Sequence, residues 1–447
     1  MLSGNLMIII TSIPRSVDGR ERHPRKARRA GRRCRTAKLR YPPAMHNPSA
    51  APGSDRCLIR RITLLSMAAF ASSGAARIAD PLLPQLVADF AVSAGQAAHA
   101  VSFFALAYGL FQLLYGPLGD RYGKYRVIAW AVLGGTVGAL GSALAEGFST
   151  LLLFRTLNGV ACAAAIPLAM AWIADNVPYE RRQPVLAYFL IGQIFGVIGG
   201  QALGGLLADL TGWRGAFWFM VATFALVGSL LVREVLRSPH IDAAGAAGTP
   251  SVGFLHRFAA VGRVGWARLI LLGVCLEGAL VFGGLAFIPS FLHTRFGLTL
   301  TQAGALMGLF GLGGLSYALF ARQFVGRMGE RGLAVAGGCA LGLAFLLLVL
   351  ATNWKFAMPA AWLAGIGFYM LHNTFQLNAT QMVPEHRGTA VALFASSLFL
   401  GQAAGVSLNA LVIDHSGYVP AFLLPALGLP LIGGVFAALI SRRQRAA

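Results

Sequence analysis

Apolar residues lie along this chain in long runs, and short polar segments separate the runs. Each run has about 20 residues, the length that an α-helix needs to cross the hydrocarbon core of a bilayer. Polar and apolar residues do not alternate within the runs, so the pattern does not indicate a membrane β-barrel. It predicts twelve membrane-spanning helices, called spans 1 to 12 below. Their expected positions are roughly 62–84, 97–118, 126–145, 149–174, 185–208, 214–232, 269–291, 301–321, 333–351, 356–377, 389–412 and 419–439.

The composition agrees with a protein that lies in a bilayer. Hydrophobic residues make up 56% of the chain and charged residues only 12%. Soluble domains carry about 25% charged residues, so this chain has too little polar surface to cover a water-facing globule of its length. We therefore expect an all-α integral membrane protein.

The distribution of basic residues predicts which side of the membrane the loops face. Residues 1–61 hold 15 of the 37 Lys and Arg residues. With the N-terminus in the cytoplasm, the loops on that side and the C-terminal tail hold another 17, and the opposite loops hold 3. Because short cytoplasmic loops are enriched in Lys and Arg, we expect both termini in the cytoplasm. The expected location of the chain is the inner membrane of a bacterial cell.

The basic segment 1–61 is expected to be a disordered cytoplasmic arm. Residues 1–44 allow three interpretations: a surface for anionic lipid or nucleic acid, a tail without function, or a segment that is not translated because synthesis starts at Met45. We favour the start at Met45 and expect no nucleic-acid partner. The apolar stretch "LMIII" (6–10) is too short for a signal peptide and precedes the basic part.

The sequence repeats itself at an offset of about 205 residues. "GVIGGQALGGLLADLTGWRGAF" (196–217) aligns with "GQAAGVSLNALVIDHSGYVPAF" (401–422), and "DRYGK" (120–124) aligns with "GRMGE" (326–330). The repeat predicts two six-helix halves in the same orientation, which transporters use to form a site between the halves. The expected domains are the half 62–232, a cytoplasmic linker 233–268, the half 269–440 and a tail 441–447.

A charged, glycine-rich hinge, "YGPLGDRYGKYRVI" (115–128), joins spans 2 and 3. Twelve spans in two halves with G-x-L-x-D-R-x-G-[RK] at this place resemble the major facilitator superfamily over about 62–440. The resemblance implies a conformational latch between spans 2 and 11, with Asp120 facing the start of span 11 near Gly388. The glycines would let helix backbones approach closely. The alternative to a latch is that the hinge is only a solvated loop. The predicted latch residues are Gly116, Gly119, Asp120, Arg121, Gly123, Lys124 and Arg126.

Three charged residues in the first half form a predicted proton-coupling group. Arg155 in "LLFRTLNGV" (152–160) and Asp80 in "ARIADPLLP" (76–84) lie at similar depth, and Arg77 is on the same helix face as Asp80. A lone charge in hydrocarbon costs about 3 kcal/mol by insertion scales, so we expect Asp80 and Arg155 to pair. The "D-P-x-x-P" span resembles that of drug/proton antiporters, which implies that Asp80 carries the proton. The alternative is that Arg77 and Asp80 merely neutralise each other.

The second half carries further polar residues inside its spans. Glu277 in span 7 is either a second functional acid or a neutral side chain that bonds a neighbouring helix. "HNTFQLNATQ" (372–381) in span 10 adds His372, Asn373 and Gln376 to the expected cavity. His372 either titrates or only packs.

Span 5 carries a glycine pattern, "GVIGGQALGG" (196–205), expected to pack closely against a neighbour. It resembles the antiporters' G-x-x-x-G-P-x-x-G-G, but Gln201 replaces the proline, so the expected kink is lost. We count Gln201 among the cavity residues. The predicted packing residues are Gly196, Gly200, Gly204 and Gly205.

These features predict a monomeric secondary transporter whose partners are a small-molecule substrate, protons and the lipid bilayer. The favoured activity is proton-coupled efflux by alternating access; the alternatives are a proton-coupled nutrient symporter and a membrane sensor or enzyme. The sequence has no H-E-x-x-H, G-x-S-x-G or Walker A motif and no metal-ligand spacing. We expect no catalytic residue, no metal and no cofactor.

Overall fold

The structure is a computed structural model that describes residues 52–242 and 254–446. The expectations for the arm up to residue 51 and for the linker at 243–253 lie outside the described residues. In the described part, ten helices are long and apolar enough to cross a membrane.

In the first half, span 1 is Pro52–Arg77 followed by a 3₁₀ turn, Asp80–Leu82, and the helix Leu83–Phe90. A short helix, Ala94–Ala97, leads into span 2, His99–Tyr122. Span 4 has two segments. The remaining bounds are Lys124–Ala143 for span 3, Phe148–Cys162 and Ala165–Asn176 for span 4, Tyr179–Thr211 for span 5 and Trp213–Arg237 for span 6.

In the second half, the helix Phe254–Arg263 precedes span 7, which consists of Gly265–Leu285 and Ile288–Phe296. Spans 8 and 9 form one stretch, Leu300–Val349. The remaining bounds are Ala357–Gln381 for span 10, Arg387–Ser416 for span 11 and Tyr418–Ala446 for span 12, with 3₁₀ turns at Trp354–Phe356 and Pro384–His386.

Twelve crossings follow from the ten apolar helices for two reasons. The stretch Leu300–Val349 is interrupted at Gly329, whose φ of 61° and ψ of −179° are not helical, so the chain reverses there into span 9. The 25-residue helix Ala357–Gln381 adds span 10, which is less apolar because it contains His372, Asn373 and Gln376. The predicted all-α fold with twelve spans in two repeated halves is confirmed.

The two halves pack their helices by the same contact. In the first half, Gly200 of span 5 lies on the backbone of span 1 at Gly74, so that a Cβ there would be 2.6 Å from the Gly74 carbonyl oxygen. In the second half, Gly405 of span 11 lies in the same way on the backbone of span 7 at Ala279. Because both positions shift by 205 residues between the halves, the sequence repeat is also a repeat of packing. Close approach of this kind requires a residue without a side chain.

Both faces of the molecule can be defined by residues. The hinge face carries the turn between spans 2 and 3 at Gly123 and the turn between spans 8 and 9 at Gly329. The cap face carries the helix starts at Ser93 and Thr299, whose hydroxyls accept hydrogen bonds from the Gln96 and Gln302 backbone N–H groups. Ser93 and Thr299 are 206 residues apart, so these caps also follow the repeat.

Candidate functional site

The side chain of Asp80 is fully buried at a break in span 1. Pro81 follows it directly, and proline lacks the N–H that would continue the helix and disfavours helical geometry in the residue before it. Gln201 Nε2 donates a hydrogen bond of 3.0 Å to Asp80 Oδ2, and Arg77 Nη1 lies 3.7 Å from the same oxygen. Asp80 Oδ1 has no hydrogen-bond partner among the described residues.

The guanidinium of Arg77 faces the other half. Its Nη2 donates to Gln402 Oε1 of span 11 at 3.5 Å, and its Cζ lies 4.2 Å from the centre of the Phe282 ring of span 7. Arg77 thus joins the Asp80 carboxylate in one half to polar and aromatic groups in the other. The predicted cavity residue Gln201 lies on the Asp80 side of this contact, since it bonds the carboxylate.

The position of Arg155 corrects the predicted pairing. Its Nε donates to the Ala100 carbonyl at 3.0 Å and its Nη2 to the Ala75 carbonyl at 3.1 Å, and its Cζ lies 4.4 Å from the Phe104 ring centre. No ion pair joins it to Asp80 in the described part of this conformation, because backbone carbonyls at the helix–helix contact take its donors. Arg155 ties spans 1 and 2 to span 4, and Arg77 is the direct partner of Asp80.

Glu277 of span 7 and His372 of span 10 form a second buried pair. Glu277 is fully buried, and its Oε2 lies 2.9 Å from His372 Nδ1. Its other oxygen, Oε1, has no hydrogen-bond partner in the part of the chain that the structure describes. His372 therefore lies inside the second half, against an acid that the sequence singled out separately.

Aromatic rings connect the two buried pairs. The Phe282 ring beside Arg77 meets the Phe368 ring edge-on at 5.0 Å between centroids, and Phe368 stacks on His372 at 4.8 Å. The arrangement places an acid with a basic partner in each half, with aromatic rings between them.

The other two cavity residues predicted in span 10 lie elsewhere. Asn373 is half-buried. Gln376 is half-buried one turn beyond His372. Neither joins the two buried pairs.

The hinge does not make the predicted contact with span 11 in this conformation. Asp120 has 65% of its side chain exposed and lies 3.7 Å from Lys124 Nζ, which lies 2.5 Å from Asp175 of span 4. A Cβ added at Gly388 or at Gly116 would meet no atom within 4 Å among the described residues. In this conformation Asp120 lies beside Lys124, and open space surrounds Gly116 and Gly388. The predicted latch, which would stabilise one access state, is therefore not formed in this state.

The hinge instead binds the segment that follows span 6. Asp242 accepts hydrogen bonds from the backbone N–H groups of Tyr125 at 2.8 Å and Arg126 at 3.4 Å, and Arg126 Nη2 donates to the Pro239 carbonyl at 2.5 Å. Gly123, with φ of 94°, lies where a Cβ would collide with the Asp242 carboxylate. Arg121 lies over the Tyr122 ring, 5.2 Å from its centre, and Gly119 packs on Leu168.

Sequence reasoning missed several of these partners. Gln402 and Asp242 were not singled out, because a single polar residue in an apolar span or a linker has no pattern of its own. A signal for Gln402 existed, since a glutamine within an apolar run requires a polar partner in the membrane.

Comparison with known proteins agrees with this architecture. The sequence pattern of the Major Facilitator Superfamily matches residues 65–406. The chain is 27% identical over 349 residues to the uncharacterized MFS-type transporter YceJ of Bacillus subtilis, which covers 76% of this chain and 87% of YceJ. It is 32% identical over 155 residues to the multi-drug resistance efflux pump PmrA of Streptococcus pneumoniae, covering 34% of this chain and 38% of the pump.

Solved structures show the same fold. The crystal structure of the nucleoside transporter NupG superimposes with a TM-score of 0.66 at 17% identity, covering 86% of this chain and 99% of NupG. The family pattern covers most of the chain, and the fold is that of a solved transporter. The chain therefore belongs to the Major Facilitator Superfamily and is a multi-pass membrane transporter of a small molecule, not an enzyme.

Proposed function

We propose that this protein is a monomeric, proton-coupled exporter of a small molecule in the bacterial inner membrane, with the hinge face and both termini in the cytoplasm. Asp80 binds the transported proton, and Glu277 with His372 forms a secondary proton site. The observation that carries the proposal is the buried contact of Asp80 with Arg77, because Arg77 also reaches Gln402 and Phe282 of the other half.

The physical basis of coupling is that protonation changes a contact between the halves. An unprotonated Asp80 holds Arg77 by charge, and Arg77 in turn contacts the second half. A proton on Asp80 removes that attraction and frees Arg77 to move. A ligand can shift an alternating-access equilibrium only by its difference in affinity for the two states, and a group at the half–half contact supplies such a difference.

Two features support export. Span 1 has the "D-P-x-x-P" pattern of the drug/proton antiporters, and part of the chain is 32% identical to a pneumococcal efflux pump.

The glutamine at position 201 occupies the place of the antiporters' proline, and span 5 is one uninterrupted helix of 33 residues. In this protein that position supplies a hydrogen bond to Asp80.

Transport into everted membrane vesicles with an imposed proton gradient tests the proposal. Wild-type vesicles should accumulate a substrate from a chemically diverse panel, and Asp80→Asn should abolish the gradient-driven part while substrate binding to the purified protein persists. Asp89→Asn is the matched control, because Asp89 lies on the same span but bonds Trp213 Nε1 within one half. Undiminished proton-driven accumulation by Asp80→Asn would remove Asp80 from the mechanism.

A second candidate, proton symport, is favoured by one observation. Arg77, and not Asp80, faces the second half, and its Nη1 has no hydrogen-bond partner among the described residues. An anionic substrate at Arg77 would compete with the Asp80 carboxylate, so substrate and proton would bind together. Accumulation in right-side-out vesicles but not in everted ones, for an anionic compound, would favour symport over export.

A further inference from the structure

A carboxylate from the first half caps a helix of the second half on the cap face. Asp209, near the end of span 5, accepts hydrogen bonds at the start of span 8. Its Oδ1 accepts from the Leu300 backbone N–H at 3.2 Å, and its Oδ2 accepts from the Thr301 backbone N–H at 2.7 Å and the Thr301 hydroxyl at 2.6 Å. An anion with these bonds to a helix N-terminus is stabilised both by the N–H groups and by the helix dipole.

A carboxylate from the second half makes the reciprocal contact. Asp414, near the end of span 11, accepts from the Gly95 backbone N–H at 2.8 Å through Oδ1 and from the Ser93 hydroxyl at 2.6 Å through Oδ2. These residues begin the short helix that leads into span 2. The fit is close, because a Cβ added at Gly95 would collide with the Asp414 carboxylate.

The two contacts are related by the internal repeat. Asp209 and Asp414 are 205 residues apart, and the capped segments start at Ser93 and Thr299, which are 206 apart. Each contact crosses from one half to the other. Neither is needed to build its own half, since the two helices that it joins belong to different halves.

Spans 2 and 11, the pair that Asp414 joins, separate toward the hinge face. Spans 2 and 11 meet at mid-membrane, where Ser396 Oγ donates to the Gly109 carbonyl at 2.6 Å. Farther toward the hinge, Gly116 has open space around it and Asp120 is exposed. Contact between these two spans therefore extends from the cap face to the middle of the molecule and ends there.

We propose that Asp209 and Asp414 form a two-point lock that holds the transporter closed at the cap face and opens once in each transport cycle. They are positioning residues for alternating access and do not touch the substrate. Because the lock concerns the two access states alone, it does not depend on which way the substrate moves or on proton coupling. A latch at the hinge would have the opposite effect, because it would stabilise the state that is closed at the hinge face.

Spin-label distances across the cap face test the lock. In a background with the five cysteines replaced by serine, Glu146→Cys and Lys355→Cys place one label in an exposed cap-face loop of each half. Double electron–electron resonance on the purified protein in nanodiscs then reports the populations closed and open at this face. Removing one charged cap by Asp209→Asn or Asp414→Asn should raise the open-to-closed ratio about fivefold to tenfold.

Asp89→Asn is the matched control on the same face, because Asp89 contacts Trp213 and Arg214 within its own half. It should leave the distances unchanged, and the double variant Asp209→Asn with Asp414→Asn should shift them farthest. Should that double variant fold poorly, Thr301→Val removes only one hydrogen bond from Asp209 and should give a smaller shift in the same direction. An unchanged distance distribution in folded variants, or a lower melting temperature without a shift, would overturn the lock.

Discussion

The hydrogen bond from Gln201 to Asp80 allows a quantitative prediction about proton binding. Gln201→Leu keeps the side-chain volume nearly unchanged and removes the only hydrogen bond that the Asp80 carboxylate receives in the described structure, apart from its 3.7 Å ion pair with Arg77. A hydrogen bond to a charged group contributes about 1.5–3 kcal/mol. At about 1.4 kcal/mol per pH unit, losing this hydrogen bond would move the pH at which Asp80 binds its proton by about one to two units.

The sign of the shift follows from which form of the acid is stabilised. Gln201 donates to the charged carboxylate, so its loss favours the protonated acid, and the proton should bind at higher pH. We therefore expect the pH profile of proton-driven transport in Gln201→Leu to move upward by about one to two units. Initial transport rates in everted vesicles between pH 5.5 and 9 at matched expression would measure it.

The matched control is Gln112→Leu. Gln112 is also a buried glutamine, but it lies on span 2 and does not bond Asp80 in the described structure, so its loss should leave the pH profile in place. An unchanged profile in Gln201→Leu would show that the hydrogen bond has no part in proton binding. Equal shifts in both variants would show a general effect of losing a buried amide.

Three further predictions concern the rest of the site and its packing. Arg155→Ala should lower the melting temperature of the purified protein, since Arg155 bonds two backbone carbonyls that lie on different helices. It should leave the pH profile of transport in place. A shifted pH profile without loss of stability would instead support the predicted pairing of Arg155 with Asp80. Glu277→Gln and His372→Gln should impair transport equally, and the double variant no further, because the two side chains act as one pair; additive losses of transport rate would contradict this. Gly200→Val should destabilise the protein by about 1–3 kcal/mol through overpacking, whereas Gly434→Val, with open space around it, should not, as thermal unfolding in detergent would show.

The architecture of twelve spans in two halves could be predicted from the sequence. Long apolar runs can be stable in a bilayer only as helices, since every backbone polar group must be satisfied internally. Independently of this, the matching motifs at an offset of 205 residues predicted two similar halves. The glycines of span 5 also indicated a close helix contact, because a residue without a side chain in a helix interior has a cost in stability that packing offsets.

The buried charged residues could also be predicted from the sequence, but not all of their partners could. Asp80, Arg77, Glu277 and His372 were singled out because ionisable groups in hydrocarbon are costly. Which cation meets which acid depends on helix rotation and on a helix break, and depth along the span does not specify either. Arg155 lies at a depth suitable for Asp80, but its donors face backbone carbonyls.

The contacts between the two halves could not be predicted from the sequence. Asp209 and Asp414 were visible as matching letters in the repeat, yet their bonds to Thr301 and Gly95 join residues that are 92 and 319 positions apart. No local sequence pattern encodes a contact between residues so far apart in the chain. The hinge shows the same limit. Its motif is readable in the sequence, but its partner Asp242, in the segment after span 6, was identified only by the structure.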